Sequence, residues 1–480
     1  MFLLALSLLV AIAYFYHVPT NPVGFFVDEA SIAYNAHTIA QHGSDEYGAA
    51  FPLYFRAFGE YKSPVYIYLL SAVFWLTGPS VLVARLLSAV TGLIAAVLFG
   101  ILGARITGRR LVGLILFLAA ALTPWLFEVS RLVFEVALLP AILALFLLLL
   151  QSAAKRRQWP LPICAGLGVL LGLITYTYSI GRLLAPLFAL GLVFFLTRQR
   201  WRSIVFTWIV FALMLLPLAV FSGRHPSALS ERFKFVTYVK PEDTRSQIAL
   251  RFVKNYVGNF SPRSWLLKGD PEPRHHLPGM GSLLAGVVAL ALLGLIVVLV
   301  RYREDAWWRF ILYGLLVSPI GASLTLDHFH TLRLIALPCF LLVLTVPAFE
   351  FLLAQGTRQS ARRLTLASLI AITLLQGAVF QWRFQAAVPR EDAFDSYYQE
   401  LLAKALAQPQ RPIYLFDKTP AAYVYAFWYA TLKGVKLDNF QRLSLPKSPP
   451  SGAIVIGHEL PCKNCEVIGE RGQFQVYRQK

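Results

Sequence analysis

Long apolar runs broken by short, arginine-bearing polar stretches dominate the chain as far as residue 382. The runs cover 1–16, 81–104, 111–127, 133–150, 161–179, 183–197, 204–222, 281–300, 307–324, 334–353 and 364–382. A helix needs about 20 apolar residues to cross a hydrocarbon core about 30 Å thick, and most of these runs approach that length. The pattern predicts a mainly α, polytopic membrane protein of about eleven transmembrane helices. One further run, 64–78, begins at Pro64 and ends in Gly78-Pro79. At about 15 residues it suits a helix lying along the membrane surface better than one crossing it. The first run lacks a basic leader and a small-residue cleavage site, so it is expected to stay as the first helix.

Beyond residue 383 the pattern changes. A helix over 391–407, a strand over 412–416, a helix over 421–432 and strands over 453–456 and 473–477 predict a small soluble α/β domain. Two domains are therefore expected, a membrane module over 1–382 and the α/β unit over 383–480.

Charge orients these elements. Basic clusters fall at Arg105/Arg109/Arg110, Lys155/Arg156/Arg157, Arg198/Arg200/Arg202, Arg301/Arg303 and Arg358/Arg362/Arg363. Each successive pair of clusters is separated by two apolar runs, so all five share one side, and the positive-inside tendency makes it the cytoplasmic one. The stretches 17–80 and 223–279, and the C-terminal domain, then lie outside. The loop 223–279 is itself basic, which points to contacts with anionic head groups.

Composition agrees: the 480 residues are 57% hydrophobic and 14% charged, too little charge to cover a soluble surface. The net charge of +19 is scattered through loops, which excludes a nucleic-acid face. Cys164 and Cys339 lie inside apolar runs and read as packing residues. Cys462 and Cys465 form a CxxC suited to a small disulfide or free thiols.

Hardly any ionisable residue lies mid-membrane, which argues against a proton-coupled transporter. Asp28, Glu29, Asp45, Glu46, Glu60, Lys62, Glu128, Arg131, Glu135, Arg182, Asp327, His328, His330 and Arg333 collect in outer loops or at outer helix ends. Asp28 is suited both to cap a helix running to about Ala40 and to accept a proton from a nucleophile. Lys62, just before the 64–78 run, suits a snorkelling anchor or a phosphate contact. Arg131 and Glu135 are spaced to pair on one helix face. Arg333 matches a phosphate in bidentate fashion. Asp327, His328 and His330 offer a generic set of metal ligands, and with Glu60 they are candidates for acceptor or metal contacts. A divalent metal is thus an option, although no cofactor is demanded. There is no P-loop and no dinucleotide fingerprint.

The runs VDEASIAYNA, GSDEYG, FGEYKSPVYIYL and VARLLSAVTG resemble the N-terminal half of the GT-C glycosyltransferases of family 39, which include protein O-mannosyltransferases and lipid A aminoarabinose transferases. NFSPRSWLLKGDPEPRHHLPGMG and SLTLDHFHTLRLIALP are similar to later segments of prokaryotic members. The resemblance implies transfer of one sugar from a polyprenyl-phosphate carrier to a lipid, protein or glycan acceptor at the outer face of the inner membrane. It places Asp28 at the family's catalytic acidic position with Glu29 beside it, Lys62 at the phosphate-contacting lysine, and Glu135 at a second acidic position; for such a reaction Lys62, Arg131 and Arg333 are the cations expected to contact the lipid phosphate. The chain departs from the family in placing Ser63 between Lys62 and Pro64, and in its lower helix count. A flippase or transporter of a lipid-linked sugar, and an oligosaccharide ligase or polymerase, are the competing readings.

Overall fold

The computed structural model describes residues 2–386, 390–416, 423–443, 449–458 and 464–480. The chain folds as two compact units, each built from separate segments. The first takes Met1–Tyr16, Lys62–Val65 and Ser88–Ala387, the second His17–Tyr61, Tyr66–Leu87 and Val388–Lys480. The C-terminal segment therefore shares a unit with the first loop, where sequence periodicity suggested a domain of its own over 383–480.

The first unit is helical. Among the described residues, Val81–Thr107 (in this unit from Ser88 onward), Glu135–Ala154, Trp201–Arg224, Ala336–Leu353 and Gln359–Ala386 are long and apolar enough to span a membrane. Ala5–Phe15, Arg110–Leu122, Leu161–Thr177, Gly181–Phe195 and Ala285–Arg301 are shorter apolar helices. Leu213, Val300, Leu364, Leu375 and Trp382 stand fully outward on these helices, an arrangement suited to lipid. The chain is an integral membrane protein. Water provides no drive for helix association in lipid, so close packing must supply it. Gly294 shows how: a Cβ there would lie 1.6 Å from the carbonyl oxygen of Leu344, so only glycine lets Ala285–Arg301 approach Ala336–Leu353 this closely. Val112, Ile115, Leu290, Phe349 and Leu352 pack around that contact.

The basic clusters gather at one end of this unit. Lys155 Nζ donates to the carbonyl of Arg105 at 2.9 Å, and Arg200 donates to the carbonyls of Ala154 and Arg156. Arg301 and Arg362 both lie over the ring of Phe351, next to Glu350, which feels the charge of Arg109. The inference from parity that these clusters share a side is thus matched by contacts between them. The loop after residue 224 carries the helix Arg245–Gly258, which docks on the connection near residue 323. There Asn255 donates to the carbonyls of Ser323 and Thr325, and Asn259 to Ser323 Oγ.

The second unit contains the helix Val27–His42, a hairpin of β1 (Phe55–Ala57) and β2 (Glu60–Lys62), and a five-stranded mixed sheet. The sheet comprises β3 (Ile413–Phe416), β4 (Phe440–Leu443), β5 (Ile454–His458), β6 (Cys465–Arg471) and β7 (Phe474–Gln479), in the order β4-β3-β5-β7-β6. Strand β3 runs parallel to β4 and β5, while β7 is antiparallel to β5 and β6. The expected strands are β3, β5 and β7, the three inner ones. The unexpected β4 and β6 are the edges, where Arg442, Glu466, Glu470 and Arg471 break the apolar alternation that marks a buried strand. The predicted helices are present as Tyr398–Leu406 and Tyr423–Leu432. Cys465 is disulfide-bonded, and Cys462 lies outside the described residues. Helix Pro64–Thr77 has 14 residues, a length of about 21 Å that falls short of the bilayer core.

Candidate functional site

In the second unit the acidic pair opens the helix Val27–His42 with the two carboxylates in different roles. The cap position belongs to Phe26, whose side chain has no acceptor. Glu29, three residues on, fills the need by accepting the Phe26 N–H at 2.9 Å, the back-reaching half of a capping box. The cap thus falls to Glu29, not Asp28 as its residue type suggested. Asp28 sits half-buried in the first turn, where the helix dipole favours a negative charge.

Glu29 is also half of a fully buried ion pair. Arg85 Nε donates to its Oε1 at 3.0 Å and Nη2 to its Oε2 at 2.9 Å, both side chains being 0% exposed. The other Arg85 donors reach the carbonyls of Pro19, Pro22 and Gly24. All five guanidinium donors are thereby used, and the stretch before the helix is tied to Glu29 through Arg85. Gly24 belongs to the same arrangement, since its φ of +82° and the carbonyl of Phe394, 2.5 Å from where a Cβ would stand, admit no side chain.

The GSDEYG segment forms a second cluster. Asp45 Oδ1 accepts the N–H groups of Tyr47 and Ala49, the local turn that aspartate favours. Glu46 accepts from Tyr423 Oη at 2.8 Å and from Asn35 Nδ2 at 3.3 Å, while Arg442 lies 3.6 Å from the Tyr423 ring centre. Burial raises the Glu46 carboxyl above the usual range, outweighing these hydrogen bonds and the nearby Arg442. Tyr423 and Arg442 come from the C-terminal segment, and nothing in their local sequence marks them as partners of Glu46.

In the first unit, Ser63 N donates to Glu135 Oε1 at 3.0 Å, so the second acidic position holds the turn that follows Lys62. Lys62 is buried. Arg131 takes another role than the phosphate contact anticipated. It is 1% exposed, it donates to the carbonyls of Tyr14 and Tyr16 at 2.9 Å, and it lies over the rings of Phe127 and Phe384. It closes the end of the first helix, where carbonyls lack partners, and leaves no face for a lipid phosphate. Residues 130–134 are not helical, so four-residue spacing does not place Arg131 and Glu135 on a shared helix face.

The TLDHFHTLR segment divides. Asp327 and His328 are exposed, and Asp327 pairs with Arg333, which also donates to Thr325 Oγ1. Phe329, at φ +57°, turns inward against Trp125. His330 leaves its neighbours and joins Asp270 and His275, with ligand-type atoms within 4.8 Å of one another. A metal set of Asp327, His328 and His330 is therefore not what the loop assembles, because the reversal at Phe329 sends them in different directions. Burial, then the charges of Arg333 and His275, lower His330 to about 3. Burial opposes ionisation of Asp270, yet His275 and the neighbouring His330 hold it well below the usual carboxylate range.

His276 faces Glu128. Its Nδ1 lies 2.8 Å from Glu128 Oε2, its Nε2 lies 2.8 Å from the carbonyl of Met280, and Glu128 Oε1 accepts the Leu277 N–H. A carbonyl accepts only, so the Nε2 carries a proton, and a carboxylate opposite Nδ1 asks for a second one. Burial lowers the His276 pKa, but the charge and hydrogen bond of Glu128 and the Met280 carbonyl outweigh it and raise the pKa overall. Stability from this pair is fully present below the ordinary histidine value of 6.5 and is lost as pH rises through the higher folded value. Melting temperature measured from pH 6 upward should therefore fall in the wild type through a component absent from His276→Gln. Parallel profiles in the two proteins would refute the charged pair.

No family model matches the chain, and no curated protein matches it in sequence. Solved structures match it along nearly its whole length. One is the crystal structure of ArnT from Cupriavidus metallidurans bound to undecaprenyl phosphate, at TM-score 0.66 and 11% identity, covering 99% of this chain and 97% of that one. Another is the same protein in the apo state, at TM-score 0.64 and 12% identity. The chain has an ArnT-like fold. It is a GT-C fold, and it agrees with the resemblance found in the N-terminal motifs.

Within this ArnT-like fold, sequence reading passed over Arg85, Asp270 and His275. The last two stand five residues apart in GDPEPRHH, a density of polar ligands that is itself a local signal. Arg85 carries none, being a lone arginine near the start of an apolar helix.

Proposed function

We propose that this chain is a glycosyltransferase that moves a sugar from a polyprenyl-phosphate carrier to an acceptor on the extracytoplasmic face of the inner membrane. The observation that carries the reading is the end-to-end likeness of fold to an ArnT structure bound to undecaprenyl phosphate. In this reading the five basic clusters are cytoplasmic, eleven helices cross, and the segments 17–80, 223–279 and 383–480 lie outside. The helix Arg245–Gly258, with Leu250, Val253 and Val257 exposed along one stripe, lies at that surface among anionic head groups.

The chemistry follows from the charges. A bond forms between the acceptor oxygen and the anomeric carbon as the bond to the phosphate oxygen breaks on the opposite side, with inversion. Asp28 takes the hydroxyl proton. Glu29, locked by Arg85, positions the turn that carries Asp28. The leaving phosphate gains charge as it departs, and a fixed cation stabilises it. Lys62 has that role, with Glu135 holding the turn beside it, and Arg333 is a further phosphate contact. Glu60 is reserved for the acceptor.

Purified protein in liposomes, given labelled polyprenyl-phosphate sugar and candidate acceptors, should release the carrier phosphate and label an acceptor. Movement of the intact donor between leaflets without cleavage would make the protein a flippase, and turnover only of pyrophosphate-linked oligosaccharides would make it a ligase or polymerase. Lys62→Ala should raise KM for the donor about 10- to 100-fold, the worth of a hydrogen bond to a charged group; an unchanged KM would remove Lys62 from the phosphate site.

A further inference from the structure

We propose that Asp270, His275 and His330 form a binding site for one divalent transition metal of the zinc class, which pins the end of the 223–279 loop to the connection before helix Ala336–Leu353. The site is independent of the sugar-transfer reading. It rests on side chains of the first unit alone.

Three observations converge. First, the ligand set is of the right kind: two imidazoles and a carboxylate, each offering one donor atom, with all the donor atoms within 4.8 Å of one another. His275 Nδ1 and Asp270 Oδ2 are 3.5 Å apart. Two ligands on one tetrahedral zinc stand about 3.4 Å apart, given bonds near 2.1 Å. A small inward turn of the His330 ring, whose centre is 4.8 Å from that of His275, would complete the set.

Second, both imidazoles have a buried nitrogen without a well-formed hydrogen bond; the nearest acceptor to His275 Nδ1 is Asp270 Oδ2, at 3.5 Å. Nδ1 of His275 and Nδ1 of His330 are each buried without a hydrogen-bond partner. Buried polar atoms in native proteins are nearly always satisfied, and an unmatched His330 nitrogen beside a long His275–Asp270 contact leaves room for a shared partner. The adjacent His276 shows the contrast, since both of its ring nitrogens are matched.

Third, the carboxylate is already oriented. Asp270 Oδ2 accepts the N–H and the hydroxyl of Thr331 at 2.7 Å, and Oδ1 accepts the Glu272 N–H at 2.9 Å. Such outer bonds fix a ligating carboxylate and tune its affinity. Three protein ligands leave a fourth position for water. The nearby exposed His328 takes no part.

The test uses the full-length protein in detergent. After treatment with chelator and exposure to zinc, then removal of the excess, elemental analysis should find about one equivalent per chain. Cobalt in its place should give a visible absorption band typical of a tetrahedral site. His275→Ala and His330→Ala should each lose the metal, His328→Ala should keep it, and Thr331→Val should bind about 10- to 100-fold more weakly. Should the alanine variants fold poorly, the wild type decides alone: its melting temperature should rise when metal is returned to the stripped protein. The proposal is overturned if the stripped wild type takes up no metal, if zinc leaves its melting temperature unchanged, or if the double variant of His275 and His330 binds metal as the wild type does.

Discussion

Asp28→Asn should lower sugar transfer by about a thousandfold while the protein inserts and melts as the wild type does. A positioned general base contributes about 10²- to 10⁴-fold, and asparagine keeps the shape while removing the proton acceptor. The structure explains why folding should survive. The helix cap and the buried ion pair both use Glu29, so neither is lost with the Asp28 carboxylate, and the charge removed from the first helical turn is worth about 0.3–1 kcal/mol. Transfer is to be measured in liposomes with labelled donor at saturating acceptor, beside melting curves of both proteins. Activity within tenfold of wild type would leave the reaction without its base.

Arg85→Met should be among the most destabilising single changes in the second unit. It leaves the Glu29 carboxylate buried without its guanidinium and strips the carbonyls of Pro19, Pro22 and Gly24 of their donor. Removing one partner of a buried pair costs about 3–5 kcal/mol, before the orphaned carbonyls are counted. Glu29→Gln should cost less, because the amide still presents one oxygen to the guanidinium. Replacing both residues by Met should recover part of the loss, since the lone buried charge is then gone. Chemical denaturation of the three variants gives the ordering. A double variant no better than Arg85→Met would mean that the carbonyl contacts, and not the ion pair, dominate.

Much of this protein is written locally. The apolar runs correspond to helices because a segment in lipid must satisfy its own backbone, a constraint that acts within about 20 residues. The five basic clusters were placed on one side by counting runs alone, and Lys155 on Arg105 and Arg200 on Arg156 bear out three of them by direct contact. The inner strands β3, β5 and β7 were visible because a buried strand must be apolar. The edge strands β4 and β6 were not, because an edge is free to carry charge.

Pairing is what the sequence does not contain. Glu29 finds Arg85 across 56 positions, Arg131 finds Tyr14 across 117, and Glu128 finds His276 across 148. No helical or strand period reaches that far, so residue type foretold a charge near the membrane rim without its partner. Nearness in sequence even misled: Asp327 and His328 look like companions of His330, yet the left-handed turn at Phe329 parts them and delivers His330 to Asp270 and His275. Local chemistry determined which segments are helices, which end of the bundle is basic and that an acidic pair opens the first loop. The division of labour within that pair was decided only by tertiary structure, because a buried carboxylate must be matched by a cation, and Arg85 faces Glu29.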